Sequence, residues 1–412
     1  MGDYAFASDA SNFLKEYYAS GPVRDLCMDA THFLKDTKKT DVTKSTKLEG
    51  KKYIVPVKYN LGNGFGVTVA DSQTVQTQSG SAGDYEQWEV TPQKFYATRK
   101  IEGLTMAAAE KKGVGSFVEI AKEVIDDMRR QMAIELEVAA FRGVSMAKGK
   151  IATNGISSNT VTLDNPRDVV NLKKGDLIQL AAAETSGSLR DSGDYARITS
   201  IDAINGKFTV NDLSLINGAA AGDFIFKYGT RNKGLNGLLG HTPIDRSSAV
   251  TVQGVDLSSD WTRLAGLYLA AGGKSPSQVL QEGMDLAEQF GAKPTKFVCN
   301  PYVKKELALD AGNYRVIEGK ENNIGFSKTV LVSSVGEIEI VSTPYCPRDF
   351  AWAYTSDVEF AHWSKDLMQL EERDGNIFTR VSNDDAFEVR LISYVDLVVP
   401  NPSDVVFFNF GA

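Results

Sequence analysis

Between Gly113 and Gly143 the chain reads GVGSFVEIAKEVIDDMRRQMAIELEVAAFRG, and from Ser116 onward it meets neither proline nor glycine until its last residue. No other stretch carries a helical pattern of this length, so the fold must accommodate one long rod. Ser116 is placed to cap it, and Glu119, three residues on, completes a capping box that satisfies otherwise orphaned N–H groups. Phe117, Ile120, Ala121, Val124, Met128, Met132, Leu136 and Ala139 recur at three- and four-residue steps and define a buried face. Lys122, Asp126 and Arg130 fall four apart on another face, where they can pair. Gly143 after Arg142 is the expected stop, and about 26 residues at about 1.5 Å each give a rod of roughly 39 Å, long enough to serve as a spine. From Val138 to Phe141 apolar residues spread around the helix, which predicts that this end is covered on more than one side.

A chain of 412 residues exceeds one simple core and suits two or three domains of roughly 150 residues each. No apolar run approaches the roughly 18 residues that span a bilayer, so no membrane association is expected. The N-terminus MGDYAFASDASNF lacks the basic-then-apolar pattern of a secretory signal, and a cytoplasmic origin is expected. Cys27, Cys299 and Cys346 are odd in number and far apart, which argues for buried thiols and against a disulfide framework or metal clip. A formal net charge of −8 opposes a surface that grips nucleic acid.

Residues 1–50 read as an arm. Phe13, Leu14, Tyr17 and Tyr18 can form one short amphipathic helix, Gly21-Pro22 breaks it, and seven lysines between Lys35 and Lys52 form a weak basic patch that reads as a solvated linker. YIVPVKY from Tyr53 then shows the period of a strand, with KFYATRKI from Lys94 as its expected returning partner. Between them lies a Gly-, Ser- and Gln-rich excursion with isolated Phe65, Tyr85 and Trp88, longer than an ordinary connection. After the spine, residues 150–230 carry short strand candidates separated by turns, which read as a small β-barrel or sandwich inserted between α/β elements. Asp260 is expected to cap a helix through WTRLAGLYLAA. Ser275-Pro276 opens another helix with Gln278 in the capping-box position and Gly291 as its stop, and Asn300 caps a third at Pro301. KTVLVSS, GEIEIVST and DFAWAYT add strands. FEVRLISYVDLVVPNPSDVVFFNF is strand-like and apolar enough to demand covering.

Few residues in the chain point to chemistry. His32, His241 and His362 are the only histidines, and none stands at metal-ligand spacing from a second ligand. Gly62, Gly64 and Gly66 precede no helix that could hold a phosphate. There is no GxSxG, no phosphate-binding GxxxxGK[ST] and no paired Cys/His arrangement. Asp126-Asp127 and Asp384-Asp385 fit solvated or capping roles. No cofactor and no enzymatic activity are expected.

The order of parts is more informative. A polar arm, a long strand–loop–strand excursion, KFYATRKIEGLTMAAAEKKG leading into one long helix, an α/β region with the PTKFVCNP strand-to-helix step, and a close in VVPNPSDVVFF resemble the HK97-fold major capsid proteins of tailed bacteriophages over most of the chain. The resemblance implies an α+β fold divided as follows: 1–50 N-arm; 51–102 E-loop; 103–149 peripheral domain with the spine helix; 150–230 inserted all-β domain; 231–257 return to the peripheral domain; 258–369 axial domain; 370–412 C-terminal peripheral strands. It implies a subunit that assembles with itself as hexamers and pentamers into an icosahedral virion capsid. The shell would be built in the host cytoplasm around double-stranded DNA bound without sequence specificity, with portal, scaffolding and decoration proteins as further partners. Predicted intersubunit contacts are Phe13 and Tyr17 of the arm and Phe65, Tyr85, Trp88, Asp84 and Glu86 of the loop. Because Asn60–Pro92 contains no lysine or arginine, docking is expected to be non-covalent. An encapsulin-like compartment shares the fold, and a cytoplasmic α/β enzyme with a β accessory domain is the reading from a different class.

Overall fold

The computed structural model describes residues 31–62, 82–103, 114–309, 314–316, 329–333, 336–372, 376–382 and 384–411. The spine is a 29-residue helix, Val114–Arg142, of about 43 Å. It begins two residues before Ser116, so that serine lies inside the first turn and is not the cap expected of it. Asp126 pairs with Arg129 at 3.7 Å, one residue short of the expected Arg130; the Lys122 side chain lies outside the described residues. Val124, Met128, Met132, Leu136 and Ala139 form the buried stripe that the periodicity predicts, and Val138–Phe141 is buried on every side.

That stripe lies against the 13-residue strand Ala386–Val398, the axis of a six-stranded sheet. Gln93–Glu102 pairs antiparallel with it from Glu102↔Ala386 to Gln93↔Val395. On its other side lie Glu359–His362, Gln369–Leu370 and Phe378–Arg380. The partner of Tyr53 and its neighbours is therefore not the KFYATRKI run: Lys52–Lys58 pairs with Tyr85–Val90 in a hairpin, while KFYATRKI joins the C-terminal strand almost 300 residues away. Both segments alternate apolar and polar residues, and alternation alone does not specify a partner.

A seven-stranded mixed sheet follows the order Leu267–Ala270, Val406–Asn409, Phe350–Tyr354, Lys296–Cys299, Gly336–Ser342, Thr329–Ser333, Tyr314–Val316. Its second strand comes from the chain's end, which corrects the assignment of all of 370–412 to the peripheral group. Glu359–His362 and Gln369–Leu370 belong to the six-stranded sheet, not with the axial residues up to 369. Helix Pro276–Gln289 packs on the seven-stranded sheet and has the expected Ser275–Gln278 capping box; Gly291 follows in the left-handed region at φ +77°. Helix Pro301–Leu309 is capped by Asn300, whose Oδ1 accepts the Tyr302 N–H at 3.0 Å. The helix expected after Asp260 does not form. The Asp260 carboxylate caps a turn through the N–H groups of Thr262 and Arg263, and Gly266 at φ +70° leads straight into strand Leu267–Ala270, where Leu-Tyr-Leu-Ala is needed beside Val406–Asn409.

Gly149–Lys227 forms a closed six-stranded barrel. Ile151, Val161, Ile178, Leu180, Ile198, Phe208 and Ile225 fill it, so it has a core of its own. Its first and last strands pair, with Gly149 opposite Ile225, so the chain enters and leaves at one place.

Candidate assembly surfaces

The first surface is the hairpin. Lys52–Lys58 and Tyr85–Val90 pair along their whole length, and the residues facing inward at its base, Tyr53, Val55, Trp88 and Val90, pack on Val252, Val255, Leu257, Ala361 and Val398. Trp88 is 0% exposed within its own chain, so its predicted role as an intersubunit contact is corrected: the ring anchors the hairpin, edge-on to His241 at 5.6 Å. Toward the tip the picture reverses. Tyr85 is 67% exposed and Leu61 77%, with Lys58 Nζ 5.3 Å over the Tyr85 ring. Asp84 and Glu86 flank Tyr85 and are exposed; Asn60 Nδ2 donates to Asp84 at 2.8 Å. The structure thus brings Tyr85, Asp84 and Glu86 together. Phe13, Tyr17 and Phe65 lie outside the described residues.

The second is the arm. Within residues 1–50, read from the sequence as an arm, the stretch 32–41 packs on its own chain. His32–Asp36 forms a short helix whose Phe33 and Leu34 are buried, Phe33 between the rings of Phe141, Tyr354 and Phe360. Lys38–Asp41 then adds a parallel strand to Glu359–His362. The polar anchor is Glu137 on the spine, whose carboxylate accepts the N–H groups of Phe33 at 3.4 Å and Leu34 at 3.1 Å and the Thr343 hydroxyl.

The third is the root of the barrel. Glu135 accepts Lys227 Nζ at 3.0 Å and also binds Lys148, and Lys227 reaches Asp176 at 3.1 Å. Burial would raise the Glu135 carboxyl, but the two ammonium groups outweigh it and hold it at about 2. Burial lowers Lys148 against the pull of Glu135, whereas Lys227, flanked by Glu135 and Asp176, is raised despite its burial. Arg142 pairs with Asp168 at 2.6 Å beside this network, so three ion pairs tie the barrel and its entry to the spine's C-terminal half, while Lys227–Asp176 lies within the barrel.

One buried polar cluster joins the hairpin base to the long strand. Asp396 accepts from the Asn236 N–H and Nδ2 and from Gln253 Nε2, at 2.8, 2.8 and 3.0 Å. Burial raises its carboxyl to about 6 although these donors pull the other way, and burial lowers the nearby His241 to about 4. None of these groups was singled out from the sequence. The only available sign was a charged residue inside an apolar run, as in AIELEVAAF for Glu135 and Glu137 and YVDLVV for Asp396.

Among the described residues no group of three or more His, Cys, Asp or Glu could hold a metal, and no helix is long and apolar enough to cross a membrane. Cys299 and Cys346 are buried; burial pushes Cys299 up to about 12 and raises Cys346 as well, which removes both as nucleophiles.

No protein-family model and no curated protein matches the chain. Among solved structures it is similar to the capsid asymmetric unit of cyanophage A-1(L), with a TM-score of 0.53 and 9% identity over 95% of each chain. It also matches the capsid of a native GTA particle (TM-score 0.46, 10% identity, 96% of this chain and 94% of that one) and an encapsulin from Synechococcus elongatus (TM-score 0.43, 7% identity, 96% and 94%). The chain has the α+β, HK97-like fold of a phage capsid subunit.

Proposed function

We propose that this chain is the major capsid protein of a tailed bacteriophage, a structural subunit without catalytic activity that associates with itself as hexamers and pentamers into a closed icosahedral shell. The observation that carries the reading is the fold likeness to a cyanophage capsid subunit over 95% of both chains. A hairpin with an anchored base, whose outermost described residues include the exposed Leu61 and Tyr85, suits a part completed by a neighbour. Repeated contacts of this kind become collectively strong in a closed lattice, although each is weak alone. The shell belongs to the virion and is assembled in the host cytoplasm, with portal, scaffolding and decoration proteins as partners. The net charge of −8 agrees with DNA held by enclosure, not by specific binding.

Sedimentation velocity followed by negative-stain microscopy of the expressed protein tests the reading. Uniform closed shells are expected. A monodisperse monomer with no particles under any assembly condition overturns it. Shells purified from the native source should contain nuclease-sensitive DNA; protein cargo in its place would make the subunit an encapsulin.

A further inference from the structure

A cleft of about 400 Å³ lies between strand Gln93–Glu102, the spine helix and the exit of the barrel. Its floor is apolar: Met132 and Met146 are 3% and 2% exposed, and Phe95 and Ala97 line it from the strand. Met146 holds a left-handed backbone at φ +58°, a conformation rare outside glycine and over-represented where proteins clamp ligands.

The polar groups around this floor are mostly donors. The amide oxygen and the carboxylate among the lining side chains are already taken: Gln131 Oε1 accepts from Arg99 Nη2 at 2.8 Å, and Glu135 binds Lys148 and Lys227. Left open are Lys94 and Lys233, both exposed and, among the described residues, without an ion-pair partner. Gln131 Nε2 likewise has no acceptor among the described residues. An apolar floor with a few convergent polar groups is the usual lining of a small-ligand site. The two parts together select the ligand. A bare anion such as phosphate would use the ammonium groups and leave the methionines wet, and a neutral apolar molecule would do the reverse. Methionine, unbranched and flexible, moulds itself to an aliphatic chain.

We propose that this cleft binds a small amphiphilic anion, a carboxylate on an aliphatic chain, with the chain on Met132 and Met146 and the carboxylate accepting from Lys94, Lys233 and Gln131. The inference goes beyond the shell reading and does not rest on it. Because strand, spine and barrel exit each supply a wall, an occupant links the barrel to the spine, and binding to the folded chain alone stabilises it.

Isothermal titration calorimetry of the purified, unassembled chain with sodium decanoate tests the site. One decanoate per chain is expected, with a Kd on the order of 10⁻⁵ M, while decylammonium and inorganic phosphate bind about tenfold more weakly or worse. Lys94→Glu with Lys233→Glu should weaken decanoate by about tenfold or more, and so should Thr98→Trp, which crowds the mouth, each with the thermal melt of the wild type. Lys51→Glu with Lys207→Glu makes the same change of charge away from the cleft and should leave the affinity within about twofold. No saturable binding of decanoate overturns the proposal, as does equal binding of decylammonium or wild-type affinity in the folded cleft variants. Should the charge variant fail to fold, Thr98→Trp decides. Binding by a chain that forms no particles would end the shell reading and leave the site standing.

Discussion

The carboxylate of Glu137, on the spine helix, accepts the backbone N–H of Leu34, 103 residues earlier in the chain, at 3.1 Å. Glu137 is 0% exposed and also accepts from the Phe33 N–H and the Thr343 hydroxyl, so one side chain links arm and spine to the residue that follows strand Gly336–Ser342 of the seven-stranded sheet. Hydrogen bonds to a buried charged group are worth about 1.5–3 kcal/mol each, and deleting the acceptor strands its donors. Glu137→Ala should therefore cost about 3–5 kcal/mol by urea unfolding and open Lys35 and Lys38 to trypsin. Unchanged stability and unchanged cleavage would mean that the arm is held by apolar contacts alone.

The barrel root gives a coupling prediction. Lys148→Met leaves Glu135 with Lys227 as its remaining cation and should cost about 3 kcal/mol or more, whereas Glu135→Gln with Lys148→Met should cost less than the sum of the two single changes. A double-mutant cycle by denaturant titration measures the difference. Strict additivity would show that the pair is not coupled.

What the sequence made legible follows from the range of the forces involved. The spine, the capping box at Ser275 and the Asn300-Pro301 start are set by residues within one or two turns, and each is present in the structure. The Ser116 cap and the helix after Asp260 differ in local structure; the other differences are matters of partnership. Tyr85–Val90 took the place expected of KFYATRKI beside Lys52–Lys58, and Val406–Asn409 left the strand before it for another sheet, because a strand's alternation records which face is buried but not against what. Trp88 is buried, against expectation, for the same reason. An isolated tryptophan in a polar excursion looks available, and only the fold brings Ala361 and Val398 to cover it. Glu135, Glu137 and Asp396 were passed over because the partners that satisfy buried charge lie far away in the chain.

Acid should act on Asp396 and His241 in opposite senses. The Asp396 carboxyl sits at about 6 in the fold against 3.8 when free, so its contribution to stability is fully present below about 3.8 and is lost as pH rises through 6. His241 sits at about 4 against 6.5, so its contribution is present above 6.5 and lost as pH falls toward 4. Relative to wild type, Asp396→Asn should gain up to about 3 kcal/mol between pH 4 and pH 7.5, and His241→Phe should gain a similar amount in the reverse direction. Urea midpoints at four pH values decide it, and pH profiles parallel to wild type would refute both assignments.

Assembled particles should contain no covalent links through the hairpin. Asn60–Pro92 has no lysine or arginine, and Lys58, the nearest amine, lies over the Tyr85 ring of its own chain. Boiled in denaturant, particles should run as one band at the chain mass of 44.8 kDa. A ladder of oligomers with a cross-linked peptide mapped to the hairpin would disprove this.

The central claim is that the chain closes into a shell by handing its hairpin to a neighbour, and a cryo-electron microscopic reconstruction of the assembled protein tests it most directly. The account predicts rings of six and rings of five on one closed lattice, with each Tyr85 seated on the next subunit. Open filaments, or a closed ring in which every hairpin tip contacts only its own chain, would contradict it.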